Sequence, residues 1–573
     1  MRTYCIAAVL ALFATPIAGQ TLTITVGTGP DCVFDNLAEA VAVAHTVPAQ
    51  ERLILLERGV FEGVAVISEI EQLTLRGGFL SCSDEQPAAN VKTILVGTGD
   101  APVVTVDQGV LPGVDDLPSL VLENVELSDG LGGLLVRSPA RVRLENVAIL
   151  GNEAPFGAGI RIEAFPSLVD VELIRTSVNG NRTLPGAVSD GGGVHCNGLG
   201  FVRMRTGSAV IGNSALGGGH GGGFFLDGCE LDIEGDVNIQ LNSAHRGGAI
   251  AAVDGAAVRL LADASGVPEL AFNRADEHDG VAGHGGAVHL ARGSSLDSDA
   301  SRWSNNRALP ESASQSRGGA LFLDDSTAEL ANQQGPCDPS CLELADNRSA
   351  EGAAVFAANG SRVDLVRAHI DANAGEDSVL RADSGAPGAN SRLMIVSSFL
   401  SRNAASDLLQ VNGGSALDLK HISVGGHPGL GTVIRARDIS SVQIQSSVLF
   451  EPSAFLLNPG DSVALSASCN VVSDDTFFQN GSAQELDPLF RDATLGDLHL
   501  EEGSPAIDIC EPVAGLVADI DGQPRTSDLV QVPDDNTPAD AGADEVLLLE
   551  PPLFADDFES GRLTAWSQVV GST

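Results

Sequence analysis

The sequence predicts an all-β fold, a right-handed parallel β-helix with an N-terminal helical cap. Two short patterns recur in step along the chain, and the spacing between them varies mainly at one place in each repeat. The composition agrees, because 66 glycines and 43% hydrophobic residues suit many short strands joined by tight turns. A chain of 573 residues can then form one solenoid instead of several globular domains.

The first pattern is an apolar residue, two residues of any kind and an asparagine. Successive asparagines lie 26 to 41 positions apart. They are Asn152, Asn181, Asn213, Asn242, Asn273, Asn306, Asn347, Asn373 and Asn403. Asparagine tolerates the left-handed backbone of a tight bend, and its amide can bond to the asparagine of the next coil. We expect these side chains to stack in one line, with their apolar partners pointing inward.

The second pattern is a glycine pair, or a near variant, followed by small and apolar residues. It begins at Gly157, Gly191, Gly221, Gly247, Gly285, Gly318 and Gly352. The gap from each asparagine to the next pair varies from 5 to 12 residues, while the stretch from each pair to the next asparagine is 21 to 29 residues. A constant body with one variable loop describes one coil. Leucine-rich repeats also use an apolar residue followed by x-x-Asn, but they leave the glycine pairs unexplained.

The chain divides into five regions. Residues 1–20 have the features of an export signal, with Arg2 before an apolar run that is too short to span a bilayer. Residues 21–90 are expected to form the N-terminal cap and first coils, because Leu37, Val41 and Ala44 have helical spacing. Residues 91–484 are the β-helix repeats, 485–545 an end segment and 546–573 a tail. We expect an exported protein, extracellular or on the outer cell surface, without a transmembrane segment in the mature chain.

The cysteine count favours disulfide bonds. Removal of the signal removes Cys5 and leaves eight cysteines, an even number in an exported chain. Metal binding is the rival interpretation for the closely spaced Cys337 and Cys341, but no second tight pair or nearby histidine completes a site. Eight cysteines allow about 105 connectivities, so the sequence does not fix the pairing. We predict Cys32–Cys82, Cys196–Cys229, Cys337–Cys341 and Cys469–Cys510.

The charge limits the partners. A formal net charge of −44 argues against nucleic acids and anionic membrane surfaces, and acidic polysaccharides should be repelled unless calcium bridges them. The partner is therefore expected to be an extracellular ligand, a glycan or a cell-surface protein.

No catalytic or cofactor-binding residue can be assigned. His220 and His284 each stand between glycines, as in the Gly-His-Gly of polygalacturonases, but the Asn-Thr-Asp and Arg-Ile-Lys motifs of those enzymes are missing. Asp324 and Asp325 are adjacent, so in a strand they would point to opposite faces. Trp303 occupies the apolar position of the repeat, which favours a place in the core over a sugar-binding role.

Two sets of residues are weak candidates for a metal site. His220, His245 and His284 lie just before glycine pairs in three successive coils, so stacking would align them along one edge. Asp519, Asp521 and Asp544 lie in the end segment and could hold calcium through oxygen ligands. Exposed turn residues explain both sets as well, so we expect no cofactor other than, at most, calcium.

The two patterns together resemble the repeats of polymorphic outer-membrane proteins, which combine Phe-x-x-Asn with Gly-Gly-Ala-Ile-type segments. The resemblance covers residues 149–403, although aliphatic residues or Trp303 replace the phenylalanine here. Residues 485–545 resemble the end segment of bacterial right-handed β-helix proteins with a choice-of-anchor domain. The matching stretches begin at Leu486, Gly503, Asp521 and Ala541. The resemblance implies an exported β-helix and says nothing about catalysis.

The predicted function is that of a non-enzymatic exported scaffold or adhesin-like protein, which presents variable loops from one edge of a rod. The alternative is a carbohydrate-active enzyme, a polysaccharide lyase or glycoside hydrolase, with an unrecognised site. A cluster of Asp, Glu, Arg or His converging on one long groove would favour the enzyme. A polar edge without such a cluster would favour the scaffold.

Overall fold

The computed structural model describes residues 21–47, 51–67, 72–107, 119–137, 139–185, 189–310, 315–333, 342–386, 388–460, 462–478, 481–525 and 539–546. These residues form a parallel β-helix, in which each strand pairs in parallel with the corresponding strands of the neighbouring coils. A complete coil contributes three strands, which we assign in chain order to face 1, face 2 and face 3. The predicted fold class is therefore confirmed.

Face 1 contains the strands that follow the glycine pairs. They are Val64–Ile67, Val104–Asp107, Leu134–Arg137, Phe224–Asp227, Ile250–Val253, Val288–Ala291, Leu321–Asp324, Val355–Ala358, Ser378–Asp383, Asp407–Val411, Thr432–Ala436 and Phe455–Pro459. Two long strands, Ile160–Ile174 and Val194–Met204, begin in face 1 and continue into face 2.

Face 2 follows face 1 along each coil. Its other strands are Thr21–Val26, Glu51–Glu57, Gln72–Phe79, Ser119–Glu123, Ala140–Glu145, Glu230–Glu234, Ala257–Leu261, Ser295–Ser298, Thr327–Ala331, Arg362–Val366, Arg392–Val396, Ala416–Lys420, Ser441–Gln445 and Ala464–Ser468. Face 1 and face 2 belong to one continuous sheet because the two long strands join them.

Face 3 leads to the asparagines. Its strands are Val60–Glu62, Thr93–Val96, Val125–Ser128, Ala148–Leu150, Ser177–Asn179, Ala209–Ile211, Asn238–Gln240, Glu269–Ala271, Arg302–Ser304, Leu342–Ala345, Ala368–Asp371, Phe399–Ser401, Ser423–Gly425, Val448–Phe450, Val471–Val472 and Gln484–Glu485. Short two-residue strands follow several of the asparagines, namely Glu153–Ala154, Arg182–Thr183, Ser243–Ala244, Arg274–Ala275, Arg307–Ala308, Arg348–Ser349 and Ala374–Gly375.

The core lies inside the coils and is mainly aliphatic. Along face 1, Ile250, Val288 and Leu321 are in register in three successive coils, and all three are 0% exposed. Because successive strand residues point to opposite faces, every second side chain points inward. The inward side chains of neighbouring coils therefore stack on one another. Trp303 is also 0% exposed and donates its indole N–H to Ser301 Oγ at 2.7 Å, as a core residue with a satisfied polar group.

The predicted asparagines lie in one line inside the bend after face 3. Each Nδ2 donates to the Oδ1 of the next asparagine at 3.0–3.1 Å, from Asn152 through to Asn403. All of these side chains are fully buried, as are the apolar residues three positions before them. The line continues beyond the repeat asparagines, because His427 Nδ1 accepts the backbone N–H of Asn403 at 3.0 Å.

The glycine pairs occupy the corner before face 1. Gly285 has φ +66°, and a Cβ there would come within 2.2 Å of the Val288 carbonyl oxygen. A side chain at this position would therefore be strained by both its backbone conformation and its neighbour. This explains why the corner requires glycine, whereas the loop before it varies in length.

The N-terminal region contains one helix, α1, Leu37–Thr46. Asn36 caps it by accepting the Glu39 N–H through its side chain at 3.1 Å. Leu37, Ala40, Val41 and Ala44 are buried in the core cluster, and the helix contacts the first strands of face 2. The further prediction, that α1 caps the open end of the rod, stays a prediction.

Three of the predicted disulfide bonds are formed. Cys32–Cys82, Cys196–Cys229 and Cys469–Cys510 have Cα separations of 5.1, 6.1 and 5.7 Å. Cys337 and Cys341 lie outside the described residues, so their pairing stays a prediction.

The end segment folds back along the outside of face 3. It contains an antiparallel pair, Phe490–Asp492 with Asp497–Leu500, and a 3₁₀ turn at Ala493–Leu495. Leu498, Ile520 and Ala543 pack on Phe399, and Ala543 N–H donates to Ser423 Oγ at 2.9 Å. The end segment therefore covers part of the exterior of face 3.

Candidate functional site

Face 1 carries a line of side chains directed away from the core, which occupy the same strand position in successive coils. Most of them, from Phe225 to Phe356, are buried against one another and against neighbouring groups. We call this line the outer row. Its members are Arg161, His195, Phe225, Ala251, His289, Phe322, Phe356 and Arg381. Aromatic and basic residues therefore follow one another along this face, one coil apart.

A second line runs beside it, formed by the residue directly before each glycine pair. We call this line the pre-glycine row, and its members are Asp190, His220, Arg246, His284, Arg317 and Glu351. Backbone bridges connect His220 through Arg246 and His284 to Arg317 and Glu351. Asp190 joins the row at its other end, where its Oδ1 accepts the His220 N–H at 2.7 Å.

The rings of the two rows pack against one another. The ring centroids of His284 and His289 lie 5.0 and 5.2 Å from that of Phe322, and both pairs are stacked. The guanidinium groups of Arg317 and Arg381 lie 4.9 and 5.1 Å from the ring centre of Phe356. These stacked and cation–π contacts hold the side chains in fixed positions on a rigid sheet.

Acidic residues border the rows at the turn into face 2. Asp227 accepts a hydrogen bond from Asn197 Nδ2 at 2.9 Å. Asp254 forms a two-bonded ion pair with Arg292, with N–O distances of 2.5 and 2.7 Å. Charged groups of both signs thus converge on face 1.

Burial keeps the histidines of this face neutral at pH 7. Burial and, after it, the charge of Arg246 lower the pKa of His220 to about 4 and that of His284 to about 3. Burial and Arg246 also lower the pKa of His289 well below its ordinary value. At neutral pH the positive charge in this part of the face therefore resides on arginine.

The predicted alignment of three histidines is wrong. His220 and His284 do lie in one row, but Arg246 stands between them, and the neighbouring His245 is displaced by one residue. The His245 ring hydrogen bonds through Nδ1 to the Asp276 carbonyl oxygen at 2.9 Å, outside the row. Among the described residues, the groups whose ligand atoms converge as a metal requires do not include these histidines.

The acidic candidates of the end segment separate into two places. Asp521 and Asp544 converge with His499, with their ligand atoms within 4.8 Å of one another. Asp519 lies apart and accepts the backbone N–H groups of Gln523 and Glu545 at 2.6 and 3.1 Å. Asp519 therefore holds the backbone of the end segment.

His499 is the residue of this cluster that the sequence did not reveal. Its Nε2 lies 3.0 Å from Asp521 Oδ2, and its Nδ1 lies 2.5 Å from Asp497 Oδ1. Burial alone would lower the pKa of His499, but the hydrogen bonds to Asp521 and Asp497 and the charge of Asp544 raise it to about 9. A protonated imidazole between carboxylates is an ion-pair arrangement.

Asp324 and Asp325 do not form a carboxylate pair. Asp324 ends a face 1 strand and accepts a hydrogen bond from Asn359 Nδ2 at 2.5 Å. Asp325 occupies the following turn with φ +52° and is exposed.

The sequence contains a signal that predicts the face 1 rows. In six successive repeats the residue before the first glycine is charged or a histidine, although its identity changes from coil to coil. Recurrence of position, rather than of residue type, marks this line.

No family model matches the chain, and no curated protein matches it significantly. Within the described residues, none of the helical segments has the length and apolar character needed to cross a membrane. The geometry of face 1 is therefore the main basis for a proposed function.

Proposed function

We propose that the protein is an exported, adhesin-like β-helix scaffold that binds an extended ligand along the exterior of face 1. The observation that carries this proposal is the pair of parallel rows, in which a charged residue or a histidine precedes the glycines of six successive coils, beside a line of mostly aromatic and basic side chains. Coils stack at roughly 4.8 Å, so a ligand lying along the rod axis meets a new set of side chains at each step.

A polymer fits this surface better than a compact ligand does. The pre-glycine row extends over six coils from Asp190 to Glu351, and its members from His220 onward are half-buried. The buried rings of the outer row lie beside it and hold its side chains by stacking. A preorganised surface loses little conformational entropy when a ligand binds. A glycan chain or an extended segment of a cell-surface protein can follow such a row, whereas a small molecule would use only one or two coils.

Export is supported by the disulfide bonds. Three are formed among the described cysteines, and such bonds persist in oxidising compartments. The predicted export signal, residues 1–20, lies outside the described residues. We also retain as proposals the likeness to polymorphic outer-membrane-protein repeats and the anchor-type role of residues 485–545, which would place the rod at the outer cell surface.

A steric mask tests the location of the binding surface. Asn197 is exposed on face 1, and Thr327 is exposed on face 2. The protein is first screened for binding to a panel of polysaccharides and bacterial or host surface extracts. We expect polyethylene glycol attached to Asn197→Cys to abolish binding to the panel members that wild type binds. The same label on Thr327→Cys should leave binding intact. Equal loss with both labels, or with neither, would contradict the proposal.

A carbohydrate-active enzyme is the second candidate, favoured by the convergence of Asp, Glu, Arg and His on face 1. Asp190 Oδ1 lies 3.6 Å from His220 Nδ1, so an acid and a base are adjacent on the same surface as Arg246. A lyase requires a base and a positive charge to hold the developing anion. This function comes second because a glycoside hydrolase needs two carboxyl groups that face each other across the sugar bond. The two carboxyl groups of the pre-glycine row, those of Asp190 and Glu351, lie at its opposite ends.

The sequence makes Asp521 and Asp544 candidates for binding calcium, because carboxylate oxygens suit a hard cation. His499 already provides positive charge between these carboxylates, so we propose an ion-pair cluster that needs no metal. Added Ca²⁺ should then leave the thermal unfolding temperature unchanged. A rise that disappears in Asp544→Asn would establish a calcium site instead.

A further inference from the structure

Arg246 differs from the other arginines around it on face 1 in having no ion pair. Arg317 binds Glu351 at 2.8 Å, Arg292 binds Asp254, and Arg381 contacts Asp377 and Asp383. Within the described part of the chain, no carboxylate lies within 4.0 Å of the Arg246 guanidinium. A lone cation in the middle of this surface is notable in a chain with a net charge of −44.

Four histidines surround Arg246. His220 and His284 flank it in the pre-glycine row, His245 precedes it, and His289 lies in the next coil of the outer row. The charge of Arg246 lowers the pKa of each of them, which places all four rings within its electrostatic reach. We call these five residues the basic cluster.

The cluster holds buried hydrogen-bonding groups without partners. Arg246 Nε and His284 Nδ1 are both buried and have no hydrogen-bond partner. A buried donor left unpaired destabilises the folded chain relative to a paired one, so such groups favour a site that an acceptor completes.

We infer that the basic cluster is the binding site for a carboxylate group of an acidic glycan. This inference rests on the proposed function, since the glycan would lie along face 1. A planar carboxylate matches the fork of the half-buried Arg246 guanidinium, and the half-buried imidazoles of His220 and His284 can each donate one N–H. A cation is disfavoured because Arg246 occupies the centre of the cluster.

The basic cluster offers a local attraction for acidic glycans, which the net charge of the chain alone would not predict. The overall charge predicts repulsion of uronate polymers, but the acids nearest the cluster are engaged. Asp190 accepts the His220 N–H, and Asp254 is paired with Arg292. An acidic glycan would be repelled by the rod as a whole and held at this one place. Its binding should therefore weaken strongly when Arg246 loses its charge.

Calorimetric titration with oligogalacturonate and with its carboxyl-reduced form tests this inference on the full exported chain. We expect wild type to bind the uronate form, and Arg246→Gln to weaken that binding by at least about tenfold. Arg259→Gln removes an arginine from face 2 and should bind as wild type does. Arg246→Lys, which keeps the charge without the fork, should fall between wild type and Arg246→Gln.

The outcomes separate this inference from the proposed function. Thermal unfolding of each variant shows whether it is folded, and Arg246→Lys serves if Arg246→Gln is not. Equal binding of the uronate and reduced forms, unaffected by Arg246→Gln, would overturn the carboxylate site and leave the face 1 proposal standing. Failure of wild type to bind either form, together with binding of other panel members that the Asn197 label blocks, would likewise overturn only the carboxylate site.

Discussion

At the scale of single residues, the two lines of the repeat differ in one respect. The asparagine line repeats the same residue, whereas the pre-glycine row repeats a position that different residues occupy. The same residue, asparagine, recurs in nine successive coils, so its spacing predicts the line that the structure contains. The pre-glycine row uses Asp190, His220, Arg246 and Glu351 in turn, and residue identity therefore conceals it. The one-residue displacement of His245 was not predictable from spacing alone, because either of two residues before Gly247 could have entered the row.

Replacing Asn242 tests the energetic role of the asparagine line. Its Oδ1 accepts two bonds from Asn213 at 2.9 and 3.0 Å, and its Nδ2 donates to Val210 O at 2.9 Å. Asn242→Ala leaves these buried partners unpaired, so we expect a loss of about 2–4 kcal/mol in the free energy of unfolding. Urea denaturation measures this.

Asn179 provides the matched control, because it lies on the exposed side of face 3. Asn179→Ala should change the free energy of unfolding by less than about 0.5 kcal/mol. Equal effects of the two substitutions would contradict a structural role for the line.

The end segment should lose stability in alkaline solution. The pKa of His499 is about 9 in the folded chain and 6.5 ordinarily, so its stabilising contribution is complete below pH 6.5 and is lost as the pH rises through 9. A pKa rise of this size corresponds to about 3–4 kcal/mol. We expect the unfolding temperature of wild type to fall between about pH 6.5 and pH 9 more steeply than that of His499→Gln. Parallel curves would contradict this.

At the scale of elements, the coil is the unit that the sequence predicts well. Turn chemistry and inward alternation are local properties, and they determine the corner at Gly285 and the core strand after it. The helix α1 was also predictable, since its apolar spacing and the Asn36 cap are local. The packing of the end segment on Phe399 was not, because it joins residues that are far apart in the chain without a repeated pattern.

The Cys196–Cys229 bond connects neighbouring coils inside the core. Both cysteines are 0% exposed, and the bond closes a loop with a sequence separation of 33. Replacing both by alanine should lower the free energy of unfolding by about 3 kcal/mol, mainly because the unfolded chain is no longer constrained. Urea unfolding of the double variant, under oxidising conditions, measures the change. An unchanged midpoint would show that stacking alone holds these coils.

At the scale of the whole molecule, the rod presents unlike surfaces. Face 3 is covered over part of its length by the end segment, whereas face 1 displays the two rows with their fixed aromatic and basic groups. Surface charge is negative overall, and the basic cluster is a local exception. The sequence predicts the rod and its charge, but residues of different coils meet on face 1 only after folding. The position of the pre-glycine row was therefore predictable from the sequence, whereas its contacts with the outer row were not.

The central claim is that this surface binds its ligand without transforming it. The most direct measurement is incubation of the purified protein with the polysaccharides it binds, followed by assays for new reducing ends and for unsaturated products. We expect stable binding and no product, because stacking and ion pairs engage most side chains of the face 1 rows. Product release that disappears in Asp190→Asn, His284→Gln or Arg246→Gln would contradict the claim and establish an enzyme on face 1.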